Sequence, residues 1–536
     1  MKRVYFILLS IIFGTIFTLT SCAKRGTITG GVKDTIAPKI TNSFPENYST
    51  NFNGKEIKIS FNELIKVKDI NKQLIISPPM KRKPIIVPQG SASKFISIKI
   101  LDTLQENTTY SFNFGQSIID NNESNPYSQF KYVFSTGTYI DSLTLMGKIK
   151  DAYDQKVDNF VSIQLYDAKT FKDSTIYKEN PLYVTNTLDS LKVFVLENLK
   201  VGDYKIIALK DKNNNFKFDP KSDKVGFLKE TISLPNDTLY QLELFKEVEK
   251  FKATKVSQES TNKFLLATQG NNNNVKVTAF NGSEKVPVIV TKYPEKNKDS
   301  VQLFIPNIKA DSLQFKVENG AFTKTFKTKV RELKTTDSLK IDVLQSNNLP
   351  FRDKLTLLTK TPITKIDNSK ITLLNKDSVS VKFTTAYDEF NQKIVFDFQK
   401  EEEQKYNLQL LPGAIIDFYN TKNDTLNYKT NTKSYSDYGN LKVNLKNAKR
   451  YPLILEILNA KGDVIASSIS NGEDFLRFDL IEPNVYSLRV IYDDNKNGYW
   501  DTGDYLEKRQ AEEVKYYSKT VDVRANWDVD QDFILD

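Results

Sequence analysis

Histidine is absent from this 536-residue chain, and cysteine occurs once. Without His there is no Ser-His-Asp or Cys-His arrangement to activate a nucleophile. The usual His/Cys zinc site is excluded too, and one Cys cannot form a disulfide within a single chain. No glycine-rich phosphate loop is present. No Arg-rich run or nucleic-acid motif is present either, so nucleic acid is not an expected partner. Stretches of Ala with helical spacing are scarce. What the chain does have is Phe and Tyr, 34 and 26 of them, together with abundant Ile, Val and Thr. These residues favour sheets. The length implies about three to five domains.

The chain starts "MKRVYFILLSIIFGTIFTLTSCAKRG". Lys2 and Arg3 precede an apolar run from Val4 to about Leu19, which is short for a comfortable membrane span. This pattern is a secretory signal. "LTSC" at Leu19–Cys22 resembles a bacterial lipobox, which implies cleavage before Cys22 and lipidation of that residue. Acyl chains there would hold the protein at a bilayer, each buried CH2 contributing ~0.8 kcal/mol. Cleavage removes two positive charges and no negative ones, so the net charge of +10 becomes +8. Lys and Asp/Glu are interspersed throughout, as on a solvated surface. Bacteroidetes surface lipoproteins carry acidic residues after the lipidated Cys. "AKRGTITGG" has none, so by that resemblance the anchor is expected in the outer membrane, facing the periplasm.

The remainder alternates apolar and polar residues over short runs such as "KEIKISFNEL", "FISIKI" and "TYSFNF", separated by Pro, Asn and Gly. That is β-sandwich patterning. "PKITNSFPEN" (38–47), "ISFNELI" (59–65), "LQENTTYSF" (104–112), "IIDNNESN" (118–125) and "YVFSTG" (132–137) resemble the bacterial Ig-like modules of the S-layer SbsA type. The resemblance implies a sandwich that serves as spacer or binding platform. "LKVGDYKIIALKD" (199–211) resembles the last strands of prealbumin-like or carboxypeptidase-regulatory-like sandwiches, which places Gly202 at a turn and Tyr204 in a core. Segments then recur. "EQKYNLQLLPGAIIDFYN" parallels "NTTYSFNFGQSIIDNNES", pairing Tyr406 with Tyr110 and Asp417 with Asp120. The stretch from Phe478 to Tyr505 parallels that from Phe194 to Lys224. The order is therefore A–B–C–A′–B′, a duplication, and it reads as a string of beads. The expected divisions are a signal peptide at 1–21, a tether at 22–35, an Ig-like sandwich at 36–138 and a prealbumin-like sandwich at 139–245. A sandwich-like module at 256–335 follows, then a degenerate Ig-like sandwich at 340–434 and a prealbumin-like one at 435–536. The fold class is all-β.

One stretch has the look of a chemical site. "DDNKNGYWDTGD" (493–504) fits a calcium loop with Asp493, Asn495 and Asn497 as side-chain ligands and Gly498 at the bend. Tyr499 would offer its carbonyl, Asp501 the ninth position and Asp504 the twelfth. Calcium takes six to eight hard oxygens, and this spacing wraps them round a point. Asp in place of Glu at the twelfth position, Asn twice in place of Asp, and flanking strands all weaken the match. An Asx-rich turn is the competing reading. The earlier copy, "DKNNNFKFDPKSD", keeps Asp211, Asn213, Asn215 and Asp219, has Phe216 for the Gly and Ser222 at the twelfth place with Asp223 next. Asp120 and Glu123 are expected to cap a turn. Trp500 is expected to anchor its loop and not a sugar. No cofactor is required, and calcium is an optional one. The sequence points to a non-catalytic, lipid-anchored envelope scaffold whose partners are a membrane and an envelope protein or glycan. The alternative is a glycan-binding or glycan-handling envelope lipoprotein, and a carboxylate-only enzyme is the remaining one.

Overall fold

The computed structural model describes residues 34–188, 192–295 and 299–535. The signal segment and Cys22 lie outside the described residues. The architecture is all-β, a tandem array of β-sandwiches. Helices among the described residues are single turns, such as Ile70–Gln73 and Thr175–Lys178.

The chain divides into two compact units. In the first, strand Glu56–Val67 buries Ile57, Ile59, Phe61 and Ile65 on one face, as its alternation requires. It pairs antiparallel with Ser93–Lys99, Ile57 opposite Ile98 and Ile59 opposite Ile96. A second sheet of Ile75–Ser77, Thr109–Asn113 and Lys131–Ser135 supplies Phe112 and Phe134 to the same core. Each such side chain contributes about 1.5–3 kcal/mol on burial. Two segments of the expected second sandwich fold with this unit, 183–188 and 196–200. Val184 donates its backbone N–H to Ser77 Oγ at 3.2 Å, and Asn198 Nδ2 donates to the Asp141 carbonyl at 2.9 Å.

The second unit holds the other modules, and their topology makes the duplication explicit. In B, Leu239–Leu244 runs parallel to the opening strand Leu143–Asp151. In B′, Asp528–Ile534 runs parallel to the opening strand Gly439–Lys446. Opposite these, Ser162–Asp167, Gly202–Lys210 and Lys224–Phe227 pair in B, with Ile232–Leu234 added to the middle strand. Leu453–Leu458, Asn484–Tyr492, Val514–Tyr516 and Val521–Val523 repeat that order in B′. Tyr204 is buried, and so is its counterpart Tyr486.

The Ig-like copies agree as closely. Ile65 lies opposite Asp120 in A, and Ile363 opposite Asp417 in A′. The Tyr110 hydroxyl accepts from the Gln105 amide at 2.9 Å, and the Tyr406 hydroxyl from the Glu401 amide at 2.9 Å. A′ therefore keeps the fold although it has lost the "ENTTY" and "STG" stretches.

Within the second unit the bead-string picture fails. Phe390 of A′ packs against the core of C, and the Tyr419 hydroxyl donates to the Asn262 carbonyl at 3.0 Å. B and B′ share a buried cluster that mixes Phe227, Phe245 and Phe218 with Tyr505. Apolar side chains left on the outer face of one sandwich are covered by another. Alternation along a strand shows that a face is apolar, but it does not show which neighbour covers it.

Candidate functional site

Both copies of the Asx-rich loop close in the same way. Asp493, 2% exposed, accepts from the amides of Asn497 at 3.0 Å and Gly498 at 2.8 Å. Asp211 accepts from the amides of Asn215 at 2.8 Å and Phe216 at 2.7 Å. The bend residue has positive φ in both, 79° at Gly498 and 60° at Phe216. That region suits Gly and strains Phe, so the Gly of the apparent metal motif meets a backbone need in any case. Asn497 Oδ1 accepts from the Tyr499 amide, and Asn215 Oδ1 from the Lys217 amide, both at 2.8 Å.

The acid that closes the later loop is not the expected Asp504. Glu512 accepts from the Asp494 amide at 2.8 Å through one oxygen and from the Asp501 amide at 2.9 Å through the other. Asp223 does the same to Lys212 at 3.1 Å and Asp219 at 2.9 Å. Asp504 takes no part in this ring. Its carboxylate accepts from the Glu507 amide at 2.9 Å, and its backbone pairs with Arg509. Burial pushes the carboxyls of Glu512 and Asp211 above the ordinary range, against the pull of their amide partners. A sequence signal for Glu512 did exist. The closing acid stands two residues before the valine of the next strand in both copies, "DKV" at 223–225 and "EEV" at 512–514.

Asp493, Asn495, Asn497 and Asp501 are brought together. The Asn495 and Asn497 amide nitrogens both donate to Asp501 Oδ2, the latter at 2.6 Å. Both Asn carbonyl oxygens accept from backbone amides. A cation at this point would need those amide groups to turn their oxygens inward. As placed, the side chains hold one another, and Tyr499 stands 75% exposed. Among the described residues no cluster of three or more Asp, Glu, His or Cys is placed to hold a metal ion.

The loops differ in what lies between the last Asx residue and the closing acid. Asp219 and Asp223 are four positions apart, and Asp501 and Glu512 eleven. The inserted residues dock on B. Thr502 Oγ1 donates to the Lys246 carbonyl at 2.8 Å, and the Tyr505 amide to Glu247 Oε1 at 2.7 Å. Gln510 Nε2 donates to the Phe227 carbonyl at 2.9 Å, and Lys508 pairs with Asp173. The Tyr505 ring, 1% exposed, stands edge-on to Phe227 with centroids 5.4 Å apart. Gly503 lies against the Phe245 ring, where a Cβ would come within 2.5 Å. Trp500 packs on Tyr153 at 4.4 Å and donates its indole N–H to the Glu512 carbonyl at 3.1 Å. Trp500 therefore anchors the loop, whereas Trp527 is exposed beneath Arg524.

Beside this insertion Arg489 is 3% exposed. It pairs with Glu456, donates to the Tyr516 hydroxyl at 3.1 Å and also to that of Tyr153. In B, the Lys224 ammonium sits among Asp151 at 2.6 Å, Asp158 at 2.9 Å and Asp154 at 3.7 Å. Burial opposes its charge, but the Asp151 and Asp158 carboxylates outweigh that and raise its pKa. In A, Asp120 caps the amides of Asn122 at 2.8 Å and Asn125 at 2.6 Å. Glu123 supplies one of the capped amides and not a second acid.

Residues 34–136 match the bacterial Ig-like domain family. No curated protein matches the chain. Among solved structures, the chain is similar to the surface layer protein SbsC, domains 1–6. That match has 12% identity and a TM-score of 0.15, and covers 91% of this chain and 67% of that one. BcpA, the major pilin subunit of Bacillus cereus, matches at 9% identity and a TM-score of 0.15, over 73% of this chain and 99% of that one. The first eight Ig domains of the Down Syndrome Cell Adhesion Molecule match at 10% identity and a TM-score of 0.15, over 92% and 70%. The bacterial Ig-like match is thus confined to the first module of an all-β tandem of sandwiches.

Proposed function

We propose that this protein is a non-catalytic scaffold of the cell envelope, tethered by a lipid at Cys22 and presenting tandem sandwiches to a partner. The observation that carries this reading is the docked insertion of B′. The stretch with the strongest resemblance to a chemical site runs into a segment that joins two sandwiches, with Thr502, Tyr505 and Gln510 set into B. A bacterial Ig-like module at residues 34–136 and a secretory start with a lipobox-like "LTSC" support an anchored envelope protein, and the lack of acidic residues in "AKRGTITGG" after Cys22 favours an outer-membrane anchor facing the periplasm. Calcium in the Asp493 loop is an optional addition that closure of the loop does not require. The partner is an envelope protein, with an envelope glycan as the second candidate. Pull-down of the tethered protein from envelope extracts, run beside a glycan array, tests the reading. Specific capture of an envelope protein with a blank array supports it. Array binding with no protein captured replaces it with the glycan reading.

A further inference from the structure

The third sandwich leaves two strand edges facing one another. Lys252–Ser260 is the outer strand of one sheet and Phe322–Lys329 the outer strand of the other. Between them runs a groove of about 460 Å³. Among the described residues no backbone hydrogen bond joins the two strands. A single side-chain link crosses, from Thr328 Oγ1 to the Val256 carbonyl at 3.1 Å. Gln258 closes one end by accepting from the Arg331 amide at 2.8 Å and donating to its carbonyl at 3.1 Å.

Apolar Val256, Phe326 and Leu333 line the groove, and so do four cations, Lys255, Lys327, Lys329 and Arg331. No acid lines it. Among the described residues none of the four cations has an ion-pair partner. The ion pairs of this sandwich form elsewhere, at Lys263 with Glu259 and Asp337, and at Lys316 with Glu318. Lysine on an edge strand ordinarily repels a second strand of the same kind. The same charges select a strand of opposite sign. Lys327 and Lys329 are two residues apart, so they recur at about 6.7 Å on one face, the period of any extended strand.

The chain itself contains such a pair. In B′ the strand bearing Asn440, Lys442, Asn444 and Lys446 takes beside it the acidic strand Asp528–Ile534. Asn440 bonds Asp528 at 2.8 Å, Lys442 pairs with Asp530 at 3.1 Å, and Lys446 pairs with Asp532.

We propose that the groove of the third sandwich receives an extended acidic peptide of a partner protein. The peptide lies extended along the groove, its backbone bonding N–H and C=O groups that one of the two edge strands leaves without a strand partner. Its apolar residues turn toward Val256, Phe326 and Leu333, and its carboxylates toward the four cations. This names a partner class for the scaffold reading above and rests on it.

The test uses the full mature chain and a fluorescent nine-residue peptide alternating Val and Asp, read by anisotropy. Controls are the Val–Lys version, a same-composition peptide with the acids in one block, and dextran sulfate. The alternating acidic peptide is expected to bind at least tenfold tighter than the Lys version and several-fold tighter than the block version. Lys327→Glu with Lys329→Glu is expected to weaken it tenfold or more, with the melting temperature retained because both side chains are exposed. The neutral pair Lys327→Gln with Lys329→Gln serves if the double Glu variant melts early, and is expected to weaken binding several-fold. Peptide binding indifferent to these substitutions overturns the proposal. So does tight dextran sulfate binding without peptide binding, which would mark a simple polyanion surface. Equal capture of one envelope protein by wild type and variant, with no peptide bound, removes the groove and leaves the scaffold reading standing.

Discussion

The guanidinium of Arg489 lies 4.0 Å from the centre of the Tyr153 ring. It is a cation of the last sandwich set on an aromatic of the second, with Glu456 as its ion-pair partner. Arg489→Met leaves the Glu456 carboxylate largely buried and unpaired. The expected loss is about 3 kcal/mol, read as a lower midpoint in urea unfolding. Arg489→Lys is not expected to restore it, because an ammonium cannot hold the flat stack and the two tyrosine hydroxyls together.

The inserted segment is the second target. Tyr505→Ala removes a fully buried ring from the B–B′ cluster and is expected to cost about 3–4 kcal/mol. Replacing residues 502–511 by the three-residue spacing of the earlier copy should leave the B′ core of Leu455, Phe478 and Val490 intact. B and B′ would then be held only by contacts outside the insertion, such as Arg489 and Trp500 on Tyr153, and their coupling would weaken. Separate unfolding steps for the two sandwiches, where the wild type has one, are the expected calorimetric result. A single unchanged step would show that the insertion does not couple them.

Gly503→Ala tests the same contact from the backbone. The added methyl meets the Phe245 ring at 2.5 Å, so a loss of about 1–3 kcal/mol is expected. Gly462→Ala, with nothing near its Cβ but a φ of 83°, is expected to cost about 1–2 kcal/mol through strain alone. Thermal melts of the two variants compare them.

Calcium is judged by melting temperature. If the ion enters the Asp493 loop with a Kd near a millimolar, about five times that concentration stabilises the protein by roughly 1 kcal/mol. The expected outcome is a small rise that Asp493→Ala abolishes. Asp493→Ala by itself is expected to cost about 1–3 kcal/mol, since two backbone amides lose their acceptor. A wild-type melt unmoved by several millimolar calcium leaves the loop as a turn only.

The anchor is tested by Cys22→Ser, expected to yield an unlipidated protein that leaves the membrane fraction. Labelled palmitate incorporated as in wild type would remove the lipid from the account.

Much of the fold was legible because strand alternation is a local property. Ile57, Ile59 and Phe61 announce a buried face whatever it packs on, and Tyr110 with Tyr406, or Asp120 with Asp417, announce a repeat. The candidate loop was half legible. Asp493, Asn495, Asn497 and Asp501 come together as their spacing requires, since short Asx side chains reach amides two to five residues on. Glu512 was hidden by the inserted residues, which moved it outside the motif's window and put Asp504 in its place. Trp500 could be read as an anchor, but its seat on Tyr153 could not, because the two lie far apart in the chain.

By itself the sequence determined the all-β class, the duplicated order of modules and the chemistry excluded by the lack of histidine. These follow from residue type and local spacing. Tertiary structure decided what the polar stretch from Thr502 to Ala511 does and which sandwich it holds. No period within ten residues encodes an aromatic surface built from Phe227 and Phe245. That contact arises only when two distant strands have already folded and left an apolar face that water disfavours.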